Sequence, residues 1–215
     1  IDNFKIKKIN TYKDLCYHLN YGFTIILIEG YDYCFALETK RNLARSINAP
    51  QTENALRGAM DSFVEDMHTN IGLIKRRIKD NNLWTESMDV GRHTTTKVSI
   101  LYINGICKQE IVDDVKQKIQ NIDIDGIISS GAIKNLIEKE NKSVFPTIQT
   151  TQRPDKVAKA LLKGKIAILV DNDSYALILP TSLNDYFLSA EDSSGKSINV
   201  TFTRLIRYTA YFISL

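Results

Sequence analysis

Residues 19–39 read "LNYGFTIILIEGYDYCFALET" and residues 161–181 read "LLKGKIAILVDNDSYALILPT". Laid over each other without a gap, they agree at Leu19/Leu161, Gly22/Gly164, Ile26/Ile168, Leu27/Leu169, Tyr33/Tyr175, Leu37/Leu179 and Thr39/Thr181, with Ile28/Val170 and Glu29/Asp171 alike in kind. Each copy is two short apolar runs around a polar turn, "EGYD" or "DNDS", which is the pattern of a β-hairpin. A glycine before the first run and a tyrosine opening the second recur in both. The echo predicts an α/β (mixed α+β) chain of two small lobes, each with a short mixed sheet containing a similar hairpin, plus packed helices.

Working outward, Asp61 is a good N-cap residue, and Phe63, Met67, Ile71, Ile74 and Ile78 follow at helical spacing on one face. Gly72 weakens such a helix by about 1 kcal/mol relative to Ala, so close packing or a break is expected near Asn70. "TKVSILYI" (96–103) alternates as a strand, and 107–122 carries Ile111, Val115, Ile119 and Ile122 on one stripe of a helix. A short helix is expected over 130–140, an extended run over 144–151, and a helix from Pro154 and Asp155, where proline suits the first position and the carboxylate the positive dipole end. The order from 96 onward is β-α-α-β-α-β-β, a small α/β lobe. These readings place an N-terminal lobe at 1–92, a second lobe at 93–195 and a C-terminal helix at 196–215. In that tail Leu205, Tyr208, Phe212 and Leu215 recur at helical spacing with Arg204 and Arg207 between them. Bases before an apolar stretch are what the cytoplasmic side of a membrane segment carries.

The 215 residues are 43% hydrophobic and 25% charged with a net charge of +3, an ordinary globular composition. That charge is too small for a dedicated nucleic-acid domain. Cys16, Cys34 and Cys107 have no CxxC spacing, so neither a disulfide framework nor a zinc site is implied, and reduced thiols are expected. The first ten residues lack the apolar core of a signal peptide.

No nucleotide-binding glycine motif, HExxH or G-x-S-x-G occurs. His18, His68 and His93 each follow a carboxylate by three or four residues, but a di-metal bundle needs Glu-x-x-His twice with two further glutamates. No catalysis, cofactor or metal is therefore expected. "VGRHTTTKV" (90–98) gathers Gly91, Arg92, Thr94 and Thr95 in a turn that could bind an anion, although spacer loops have the same composition. "KRR" (75–77) spreads its charges around a helix at 100° per residue, which does not suit a single phosphate track. "QRPD" (152–155), with Arg153 and Asp155, is explained by helix-start chemistry.

Taken together, "QTENALRGAMDSFVEDMHTNIGLIKRRI", "VGRHTTTKVSILYINGI", "IDIDGIISSGAIKNLIE", "FPTIQTTQRPDKVAKALLKGKIAILVDN", "LILPTSLNDYFLSAED" and "RLIRY" resemble, in order, the A subunit of the GerA-type spore germinant receptors. The resemblance implies a cytosolic N-terminal domain of two α/β subdomains, comparable to small-molecule-binding proteins and followed by membrane helices. It also implies a transporter-like B subunit, a lipoprotein C subunit, a homo-oligomer in the full-length membrane context and the cytosolic face of the spore inner membrane. Gln152 stands where the family more often has a carboxylate.

On this reading Asn70, Arg76 and Arg77 form an internal or inter-subunit joint, since arginine holds carboxylates and carbonyls in a fixed fork. The expected function is receptor assembly and signal coupling in nutrient-triggered germination. The alternative is a nutrient-binding module with its ligand in the cleft between lobes.

Overall fold

A computed structural model of the chain describes residues 6–20, 23–37, 59, 61–138 and 146–182, with positions 185, 201, 206, 209, 210 and 213. In chain order the elements are β1 (Ile6–Ile9), α1 (Tyr12–Asn20), β2 (Thr24–Leu27), β3 (Cys34–Leu37), α2 (Met67–Lys75), β4 (Leu83–Val90), β5 (Thr96–Ile103), α3 (Gln109–Gln120), α4 (Ser130–Glu138), β6 (Gln149–Thr151), α5 (Pro154–Leu162), β7 (Ile166–Val170) and β8 (Ala176–Leu179). The strands form a three-stranded sheet ordered β1-β3-β2 and a five-stranded sheet ordered β4-β5-β7-β8-β6. The class is the mixed α+β expected, but every described pairing is antiparallel rather than mixed.

The hairpin echo is part of a longer repeat. The unit β1-α1-β2-β3 recurs as β6-α5-β7-β8 in the same order and without a gap. Its hairpin register is the same: Thr24 faces Leu37 and Leu27 faces Cys34, while Ile166 faces Leu179 and Leu169 faces Ala176. The third strand keeps register too, with Lys7 on Ala36 and Ile9 on Cys34 matched by Gln149 on Ile178 and Thr151 on Ala176. Even the left-handed turn residue coincides: Gly30 has φ 88° and Asn172 has φ 62°. Glycine and asparagine are the residues that enter this region most readily.

What surrounds the two copies differs. The five-stranded sheet is covered on both faces. Val98, Ile100, Tyr102, Ile166, Ile168 and Leu177 meet Val112, Val115 and Ile119 of α3 and Ile133 and Ile137 of α4. On the other face Leu101, Ile103, Ala167, Leu169 and Ile178 meet Leu73 and Ile74 of α2 and Val157 and Leu161 of α5. The Tyr102 hydroxyl also bonds Glu86 of β4, which Lys116 of α3 holds at 2.7 Å. The core of the three-stranded sheet is small: Ile9, Cys34 and Ala36, flanked by Leu15, Phe23 and Ile25.

Two expectations are corrected. The boundary at 92/93 falls inside the β4–β5 hairpin, where Leu83 faces Ile103 and Val90 faces Thr96. Residues 61–90 therefore belong with the second sheet, because a hairpin cannot be divided between two cores. The helix expected from Asp61 begins at Met67, capped by Asp66, whose carboxylate accepts from Thr69 N at 2.7 Å. Phe63 precedes it in a non-helical segment and matches the helical spacing only by coincidence. The helix then runs unbroken through Asn70 and Gly72. The C-terminal helix expected at 196–215 lies largely outside the described residues.

Candidate functional site

Residues 61–67 lead into α2 and are hydrogen-bonded both to the second repeat and to α2. Phe63 N donates to Gln152 O at 2.8 Å, Asn172 N donates to Glu65 O at 3.0 Å, and Met67 N reaches the Asp171 carboxylate at 3.4 Å. Asn70 is buried on the inward face of α2. Its side chain accepts from Val64 N at 2.8 Å and donates to Val64 O at 2.5 Å, satisfying both polar groups of one extended residue. Asparagine alone among small side chains offers a donor and an acceptor in that geometry, apart from its homologue glutamine.

Arg77, just past α2, donates to Leu73 O at 2.8 Å and to both carboxylate oxygens of Asp61 at 2.5 Å. Each partner of that pair is about a quarter exposed. Arg76 supplies the backbone cap of α2, and its side chain is exposed.

Arg153 lies 2% exposed, the largest fully buried side chain among the described residues. It forks onto Asp155, Nε to Oδ1 at 3.0 Å and Nη2 to Oδ2 at 2.9 Å. Burial pushes the Asp155 carboxyl upward, but the hydrogen bond and charge of Arg153, with the charges of Lys159 and Arg77, outweigh it and hold the group below its ordinary value. Helix-start chemistry is thus only part of "QRPD". Arg153 is the N-cap residue of α5 yet makes no side-chain cap. At the equivalent place in the first repeat, Thr11 caps α1 conventionally, accepting from Asp14 N at 3.2 Å.

The turn at 91–95 forms a separate group. Arg92 N donates to Ile124 O at 3.0 Å and His93 N to Asp125 O at 2.8 Å, so these amides point at the protein's own 123–127 segment. Thr94 Oγ1 accepts from Ile127 N at 3.0 Å, and the Arg92 side chain pairs with Asp123 at 2.7 Å. Gly91 (φ 94°) packs so closely that an added Cβ would lie 2.7 Å from Thr94 Oγ1 and 3.1 Å from Gly126 Cα. Thr95 is exposed with φ 42°.

The predicted residues therefore divide. Asn70, Arg77, Arg153 and Asp155 lie around the 61–66 segment and the start of α5, Gly91, Arg92, Thr94 and Thr95 build a fastened turn, and Arg76 stands outside both. Sequence reading missed the function of Asp61, assigned as a cap, and of the "DNDS" turn as an anchor. In that turn Asp171 meets the first amide of α2, and Asp173 accepts from Ser130 N at 2.5 Å, the first amide of α4. Neither contact is signalled locally, because the residues it joins stand 104 and 43 apart in the chain. Such a network fixes a chain segment against a sheet. Among the described residues no group of three or more His, Cys, Asp and Glu is placed to hold a metal ion.

Comparison with known proteins gives one consistent result. The family described as Bacillus/Clostridium GerA spore germination protein matches residues 1–215. Spore germination protein KA of Bacillus subtilis is 39% identical over 210 residues, covering 98% of this chain and 39% of its own length. Spore germination protein A1 of the same organism is 34% identical over 215 residues, covering 100% of this chain and 45% of its own. The crystal structure of the N-terminal domain of the A subunit of the Bacillus megaterium spore germinant receptor GerK3 aligns with TM-score 0.61 and 33% identity, over 84% of this chain and 64% of that one. The chain thus spans less than half the length of these two curated relatives. No helix among the described residues is long and apolar enough to cross a membrane.

Proposed function

The chain belongs to the GerA family of spore germination proteins, and from that premise we propose that it assembles a germinant receptor and couples it to its membrane part. It would do so as the N-terminal domain of an A subunit, on the cytosolic face of the spore inner membrane, beside B and C subunits. The observation that carries this reading is the joint at 61–77. Residues 61–66 are fastened to α2 and Arg77 through Val64–Asn70 and Asp61–Arg77, and to the second repeat through Phe63–Gln152 and Glu65–Asn172. Such a fastening would carry a displacement arriving at residue 61 into the second sheet, because its buried polar groups lose their partners if it slips. Arg76 would extend the joint outward to a neighbouring subunit, being exposed on the same helix end.

The expected nutrient site has less support. The groups at Gly91 to Thr96 that would hold a small molecule are engaged with residues 123–127.

The test introduces Arg77→Ala, Asn70→Ala and Arg76→Ala into the full-length receptor in spores, with subunit abundance and germination measured together. The expected result is germination slowed at least about tenfold, equivalent to about 1.4 kcal/mol of lost coupling, with or without loss of the partner subunits. Normal abundance and normal germination in all three variants would overturn the reading.

A further inference from the structure

Two helices cover one face of the five-stranded sheet, and they are held there in different ways. Both bury apolar side chains in the same core, Val112, Val115 and Ile119 from α3 and Ile133 and Ile137 from α4. The N-cap residue of α3, Lys108, makes no side-chain cap, and the bonds of Gln109 to Asp113 and of Lys118 to Asp114 stay within that helix. α4 is instead tied to another segment at each end through a carboxylate. At its start Ser130 N donates to Asp173, in the turn between β7 and β8, at 2.5 Å. At its finish the Glu138 carboxylate accepts from Thr147 N at 2.9 Å and from Ile148 N at 3.0 Å.

Each tie leads further. Asp173 shares its turn with Asp171, whose carboxylate accepts from Met67 N at 3.4 Å, and with Asn172, whose amide donates to Glu65 O at 3.0 Å. One turn therefore holds the start of α2, which packs on one face of the sheet, and the start of α4, which packs on the other. Beyond the far end of α4, Thr147 O accepts from Thr181 N at 2.7 Å. Thr181 is buried and follows β8, the last described strand. Next to it, Ser182 bonds Asp185 through its amide at 2.8 Å and its hydroxyl at 2.6 Å, and Lys165 pairs with the same carboxylate oxygen at 2.6 Å.

We propose that α4 is a tie between the joint at 61–67 and residues 181–185, carrying the position of the joint to the chain that leaves β8. Its nine residues make a rod of about 14 Å, with its backbone bonds satisfied internally and charge-assisted hydrogen bonds at both ends. The two ends of the tie lie at opposite ends of β8, so a shift of the 171–173 turn reaches Thr181 through α4 as well as through the strand. The inference rests on the coupling role proposed above and supplies its path, from Glu65 and Met67 through the turn and α4 to Thr181.

Amide-resolved hydrogen exchange of this chain tests the tie by altering one end and reading the other. Ser130→Pro removes the amide that Asp173 accepts and keeps a residue suited to the first position of a helix. It should speed exchange of the Thr181 amide at least about fivefold relative to the β5 amides. Glu138→Ala should speed exchange of the Asn172 amide to a similar extent, since coupling between two sites is reciprocal. The double variant should expose Thr181 no more than Glu138→Ala alone, because both changes cut one tie. Should either variant fail to fold, Asp173→Asn and Glu138→Gln, which remove the charge at nearly constant shape, take their places. Effects confined to the altered end, or effects that add at Thr181 in the double variant, overturn the proposal. So does a rise that the β5 amides share in full, which marks a general loss of stability. Those failures leave the joint itself standing, because its variants are read by germination. Normal germination of the joint variants would remove the coupling role and leave the exchange result untouched.

Discussion

The first and second repeats share strand order, register and turn geometry, yet one supports a sheet with a helix on one described face and the other lies inside a sheet covered on both. A single backbone unit therefore does not determine its own burial. What decides it is what the intervening chain adds: β4 and β5 extend the sheet, α3 and α4 cover one face, and α2 joins α5 on the other. The side chains record the difference. Tyr12, Tyr17, Leu19 and Leu27 stand exposed in the first copy, whereas Pro154, Val157, Ala158, Ala160 and Leu161 of α5 are all buried in the second.

Equivalent positions in the two copies allow this contrast to be broken or sharpened. The largest effect is expected at the helix starts. Arg153→Ala removes the buried partner of a part-buried ion pair and should cost about 3 kcal/mol, whereas Thr11→Ala removes only an exposed cap and should cost about 1 kcal/mol. Equal losses in urea denaturation would mean that Arg153 is not the buried anchor described. In the hairpins, Ile168→Ala should cost about 2–5 kcal/mol as a core truncation. Ile26→Ala, half exposed, should cost less than about 1 kcal/mol in the same assay.

Acid sensitivity comes next. The folded-state value of Asp155 is depressed, so its contribution is fully present above the unfolded carboxylate value of about 4 and is lost as pH falls through the lower folded one. The stability gap between the parent chain and Asp155→Asn should therefore be constant near neutrality and close in acid. A gap that widened on acidification would contradict that sign. The smallest effect concerns the left-handed turn. Gly30→Asn imitates the second copy and should change stability by only a few tenths of a kcal/mol, while Gly30→Val should cost about 1–2 kcal/mol. An added Cβ at Gly30 would meet nothing within 4 Å, so the whole penalty is conformational.

The hairpins were legible because apolar runs, a glycine and a tyrosine recur at the same spacing. The rest of the repeat was not, since "IKKINTYKDLCYH" and "IQTTQRPDKVAKA" share almost no side chains. One faces solvent while the other is enclosed, so burial has driven their composition apart. β4 escaped notice for a related reason: "LWTESMDV" is an outer strand whose charges obscure the alternation. Asp61 and Asp66 both precede an apolar run, and sequence spacing does not say which caps the helix. Arg77 chooses between them by its fork to Asp61, a contact 16 residues apart that no local pattern encodes. The bonds of Asn70 to Val64, six residues before it, have no signal in "TNIGLIKRRI".

The most direct measurement is amide-resolved hydrogen exchange of the parent chain in dilute solution, comparing β2, β7 and the joint amides of Phe63 and Val64. The joint is bonded to Gln152 and Asn70, so Phe63 and Val64 should exchange with β7, through opening of the five-stranded sheet, while β2 exchanges earlier by local opening. Phe63 and Val64 exchanging at the rate of β2, with β7 still protected, would show that the segment is not fastened to the second sheet and would contradict the coupling role built on it.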